Sequence, residues 1–175
     1  MKKRIIFLVM ALLLLGSLFG CHDSEELQDS VEFFYPRKSD QYVYGSRDGV
    51  LAAEVWEASG RTDDLSELLS IYLHGPKDEN LRSPFPAGCK LEEVRVGTDT
   101  LFVTLSAEFA ALENLDLTLA CASLAKTCFS ISGLDTVRIE AKSNTRSIGI
   151  TLKKSDLVLS DYIAFAPQEE TQATQ

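Results

Sequence analysis

The sequence is poor in the residues that carry most enzyme and metal chemistry. Its 175 residues include two histidines, His22 and His74, and one tryptophan, Trp56. Two histidines cannot build a histidine-rich metal centre, and the four cysteines contain no Cys-x-x-Cys pair to replace them. The acidic pairs Glu25-Glu26, Asp63-Asp64 and Glu92-Glu93 lack a calcium-loop pattern and read as solvated faces. No metal and no cofactor is therefore expected. Positive charge is also scarce: 17 Lys and Arg stand against 26 Asp and Glu, a net −9. Such a chain repels phosphate backbones, and no basic stripe offsets the repulsion, so nucleic-acid binding is excluded. No internal repeat is present, which excludes a solenoid.

Long apolar runs are confined to the start. Residues 1–20 read as a signal peptide: Lys2, Lys3 and Arg4, an apolar run from Ile5 to Leu15, then small residues. The run is too short and one-sided for a spanning helix. Its ending, Leu18-Phe19-Gly20-Cys21, resembles the bacterial lipobox, with Phe19 in place of the usual small residue. That resemblance implies a lipidated Cys21 as the new N-terminus, on the outer face of the cell membrane. Two acyl chains, palmitate among them, hold a protein where one binds marginally. Loss of the three leading cations takes the charge from −9 to −12. Residues 21–30 read as an acidic tether, 31–165 as one domain, and 166–175 as a disordered tail.

With Cys21 set aside, Cys89, Cys121 and Cys128 remain, and three thiols cannot all pair within one chain. Cys121 and Cys128 are two helical turns apart, roughly 10 Å, beyond the reach of a disulfide. Both fit as small core residues. A bridge from Cys89 to either stays open.

The pass along the chain gives strands at Val31–Tyr35, Tyr42–Tyr44 and Val50–Trp56. Thr62, Asp63 and Asp64 then offer caps to a helix whose apolar stripe is Leu65, Leu68, Leu69, Tyr72 and Leu73. Gly75-Pro76 stops it. Leu91–Val96 and Thr100–Leu105 form a hairpin around Gly97-Thr98-Asp99, and Ser106–Leu112 is a partly helical connection. Asn114 or Asp116 is placed to cap a second helix, with the stripe Leu117, Ala120, Cys121, Leu124 and Cys128. Gly133 ends it before a strand at Val137–Ile139; Ser147–Leu152 is a further strand, and Leu157–Phe165 is ambiguous. The expectation is α+β: a small mixed or antiparallel sheet with two helices on one face, an α-β-β-α-β core, widened by the earlier and later strands.

In order and spacing, several pieces are similar to the GerMN domain of sporulation and spore-germination lipoproteins. They are Gly75-Pro76, the loop Ser83-Pro84-Phe85-Pro86-Ala87-Gly88, Leu105-Ser106 with Phe109, and Gly133 to Val137. Cys89 stands where the family carries threonine, and one copy of the domain is present where some members hold two. The resemblance implies a core similar to the ring-building motif. It also implies a scaffold or assembly factor in the sporulation envelope, not an enzyme. Its partner would be a protein, a second copy of the chain included. The rival reading is a module that binds peptidoglycan or another wall ligand.

The stretch from His74 to Cys89 invites a thiol-enzyme reading, which needs His74 within hydrogen-bond reach of Cys89 and a third orienting group. The loop is explicable without it. Pro84 and Pro86 hold the chain extended, Gly88 supplies a positive φ, and His74 suits the exposed carbonyls of a helix end.

Overall fold

The computed structural model describes residues 30–38, 49–58 and 64–157. The expected strand at 42–44 and the segment 158–165 lie outside the described residues, as do residues 21–29 of the tether and the tail. Strands β1 (Ser30–Pro36) and β2 (Leu51–Glu57) pair antiparallel as a two-stranded sheet. Helix α1 (Leu65–Leu73) leads to the hairpin β3 (Leu91–Val96) and β4 (Thr100–Leu105). A 3-10 turn, Phe109–Ala111, precedes helix α2 (Asn114–Ser132), which crosses over to β5 (Thr136–Lys142). Strand β5 runs parallel to β4, and β6 (Ser147–Lys153) closes antiparallel on β5. The four-stranded sheet has the order β3-β4-β5-β6. The α-β-β-α-β core is as expected, and β6 widens it.

The earlier strands do not widen that sheet; they form their own. The far edge of β1 is already engaged. Phe34 N–H donates to Thr127 Oγ1 of α2 at 2.9 Å, and beyond it Arg82 N–H donates to the Pro36 carbonyl at 2.9 Å. Lys38 N–H donates to the Asn80 carbonyl at 2.9 Å. A helix side chain and a loop thus take the bonds a third strand would have made.

Period-2 patterning sets the core. Leu101, Val103 and Leu105 of β4 face Val137, Ile139 and Ala141 of β5, all buried. Leu68, Leu69 and Tyr72 of α1 join them, with Ala120, Cys121, Leu124, Ala125 and Cys128 of α2. Each large apolar side chain so buried contributes about 1.5–3 kcal/mol. Helix α2 is long and apolar enough to cross a membrane by composition, but its apolar side is buried in this core.

Helix α1 is capped by Asp64, whose Oδ1 accepts from Ser66 N–H and Glu67 N–H, each at 3.0 Å. Gly75 follows the C-cap with φ +96°, as its sequence position predicts. Helix α2 departs from expectation at its start. Neither Asn114 nor Asp116 caps it; Glu113 stands at the N-cap without a side-chain bond. Asn114 takes φ +49° instead, turning the chain sharply into the helix. Asp116 contributes a negative charge to the first turn. At the other end Gly133 adopts φ +67°, the left-handed cap.

Candidate functional site

The motif residues fall into two groups at opposite ends of the sheet. Gly75, Pro76, Ser83, Pro84, Pro86, Gly88, Leu105, Ser106 and Phe109 gather where β3 begins and β4 ends. Gly133 and Val137 lie at the other end, where α2 turns into β5. In the first group Phe85 is the pivot. Its ring meets Tyr72 edge-on at 5.3 Å and Phe109 at 6.3 Å, and Pro84 beside it is buried. The two prolines thus aim Phe85 inward, onto α1 and the 3-10 turn. Gly75 sits so close to Ser83 that an added Cβ would lie 3.4 Å from Ser83 Cβ. Gly88 has φ +83°, and Cys89 N–H donates back to the Pro86 carbonyl at 3.1 Å.

Ser106 ties the loop to the end of β4. Its N–H donates to the Lys90 carbonyl at 2.9 Å, and its Oγ accepts from Lys90 N–H at 2.9 Å. The Oγ–H then donates to Glu108 Oε2. That bond holds the Glu108 carboxyl below the usual carboxylate range. The sequence pair Leu105-Ser106 therefore has separate physical roles: Leu105 is core, Ser106 is a staple.

His74 and Cys89 line one open cleft of about 430 Å³, with Ser70, Leu73, Gly88, Lys90 and Leu91. The histidine is oriented by its own helix: Nδ1 donates to the Ser70 carbonyl at 2.7 Å. Cys89 is half-buried, and burial pushes its thiol up to about 11, partly offset by a hydrogen bond with Ser106 and reinforced by Glu108. That is opposite to the direction an attacking thiol requires. Cys121 is likewise raised to about 11 by burial, and Cys128, deeper still, goes well above the ordinary thiol range. All three thiols are free, so Cys89 has no disulfide to Cys121 or Cys128. Among the described residues no three His, Cys, Asp or Glu side chains cluster to hold a metal ion.

Sequence reading centred on this loop and passed over the other face of the sheet. Arg95, Phe102, Arg138 and Thr151 stand in one row across all four strands. The signal was available: these residues occupy the positions between the apolar ones on each strand.

Among the described residues, the four-stranded sheet of the α-β-β-α-β core has one apolar face under two helices and one polar face that nothing covers. The loop packs the turn between α1 and β3. The chain belongs to the Germane family, described as sporulation and spore germination, whose model matches residues 33–146. No curated protein matches it. A candidate lipoprotein from Clostridium perfringens, solved at 2.5 Å, is similar over 73% of this chain and 88% of its own. The identity is 18% and the TM-score 0.38.

Proposed function

We propose that the chain is a non-enzymatic assembly factor of the sporulation or germination envelope, held to the outer face of the cell membrane by a lipidated Cys21. The observation that carries the docking role is the pair of edges, β3 and β6, that no strand among the described residues pairs with on the four-stranded sheet. An exposed strand edge offers unpaired N–H and C=O groups to an incoming strand. On β3 the alternation is fixed by Gly97 N–H donating to the Thr100 carbonyl at 2.8 Å. Counting back, Val94 and Val96 point their N–H groups away from β4. Val96 is 59% exposed, which leaves that edge open to a partner.

The test is genetic. A strain lacking the chain is scored for heat-resistant spores and then for their outgrowth. Fewer spores assign it to envelope assembly; normal numbers with slow outgrowth assign it to germination; normal behaviour in both overturns the reading. Restoring the chain as Val96→Pro, which removes one outward N–H without touching the core, is expected to reproduce the defect at undiminished protein level. Anchoring is checked by fatty-acid labelling, expected to vanish in Cys21→Ala; equal labelling refutes it.

A second reading, recognition of a wall ligand, draws on the cleft beside His74 and Cys89, whose volume falls in the range of small-molecule sites. Retention on purified sacculi, competed away by wall fragments, would favour it over protein docking.

A further inference from the structure

We infer that the face of the four-stranded sheet that no described residue covers is a docking surface for an acidic polypeptide. The inference rests on the reading of the chain as a protein-binding factor, but on a surface distinct from the strand edges. The strand rows of this face carry four cations, Arg95, Arg138, Lys142 and Lys153, and two carboxylates, Glu93 and Glu140. Glu92 lies in the bulge beside Glu93. The strand rows are thus net positive in a sequence of net −9.

The two arginines are each held by a neighbour on the sheet. The Arg95 guanidinium lies 3.8 Å from the Phe102 ring centroid, and no hydrogen bond or ion pair to it is present among the described residues. The phenyl face orders the guanidinium and leaves its N–H fork free. Two strands away, Arg138 Nε donates to Glu140 Oε1 at 2.9 Å and Nη1 donates to Thr151 Oγ1 at 3.1 Å. Gly149 makes room for it: a Cβ there would lie 2.8 Å from Arg138 Nη2. This ion pair is about two-fifths to half exposed, so it is worth little and can exchange for a partner's carboxylate. Lys142 and Lys153 have no side-chain partner among the described residues.

The mosaic of charge selects the class of occupant. A polymer with one phosphate per unit would press anions against Glu93 and Glu140 as well as against the cations, at distances well inside the screening length. A polypeptide can place carboxylates opposite the arginines and neutral residues opposite the glutamates. An aromatic ring and arginines in one row are also the residue types enriched at protein interfaces.

The experiment titrates the folded chain with a synthetic peptide of alternating Glu and Thr, with a Lys-Thr peptide and inorganic polyphosphate alongside. The Glu-Thr peptide is expected to bind, weakening as salt rises, and the Lys-Thr peptide to fail. Arg95→Ala is expected to weaken binding about fivefold to tenfold, the net scale of one ordinary hydrogen bond. Glu93→Lys is expected to tighten it, a direction that misfolding cannot mimic. Four results overturn the inference: no Glu-Thr binding; Arg95→Ala and Glu93→Lys both without effect; tighter binding of polyphosphate that Arg95→Ala abolishes; or concentration-dependent self-association that Arg95→Ala abolishes. Normal peptide binding by Val96→Pro separates failure of the edge reading from failure of this one.

Discussion

At the residue scale the most informative pair is Tyr35 with Tyr72. Tyr35 O–H donates to the Tyr72 carbonyl at 2.8 Å, and Tyr72 O–H donates to the Phe34 carbonyl at 2.9 Å. The rings lie 4.8 Å apart, both nearly fully buried. The exchange locks α1 to β1 through two bonds whose donors have left water. Tyr72→Phe removes the hydroxyl but leaves a carbonyl unpaired in the core, so urea denaturation is expected to show a loss of about 1–3 kcal/mol. Tyr72→Ala also deletes the ring that Phe33, Tyr35 and Phe85 pack on, and about 3–5 kcal/mol is expected. The apolar stripe made burial of Tyr72 legible in the sequence. Its hydroxyl's destination was not, because the acceptor, Phe34, lies 38 positions away in a segment with no local tie to the helix. His74 was legible for the opposite reason: its partner, Ser70, is one turn back.

At the element scale, what could be read was local and periodic. The two helical stripes, the β3–β4 hairpin, the glycines at 75, 88 and 133, and the strand after Gly133 all follow from spacing over a few residues. The separation of β1 and β2 from the main sheet did not, because it is decided by Thr127 and the 80–82 loop reaching β1 from afar. The start of α2 also escaped, since a left-handed Asn114 replaces the ordinary cap. Two substitutions test the element ends. Asp64→Ala removes both acceptor contacts at the head of α1 and is expected to cost about 1 kcal/mol in chemical denaturation. Gly75→Ala forces a side chain into φ +96° and against Ser83, and is expected to lower stability by about 1–2 kcal/mol. An unchanged midpoint in either would mean that the loop, not the cap, sets where α1 ends.

At the scale of the whole molecule, buried protons tie the fold to pH. Burial raises Cys89 and Cys121 to about 11 and Cys128 further, from an ordinary thiol value of 9.0. Burial likewise raises Tyr72 and Tyr35 above 10.0. Each group keeps its proton in the folded chain at a pH where the unfolded chain has released it. The unfolded state then binds fewer protons, so unfolding free energy falls as pH rises. The contribution is complete below pH 9, where both states are protonated, and is lost progressively above it as pH climbs toward the folded values. Denaturation midpoints measured between pH 7 and pH 11 are therefore expected to stay level to about pH 9 and then drop. Cys128→Ala, which removes the most deeply buried thiol, is expected to make the decline shallower while lowering the plateau slightly. A midpoint that stays level through pH 9 to 11 would mean that these groups titrate alike in the folded and unfolded chain, as they would if they sat in water, and the packing of α2 on the sheet would have to be redrawn.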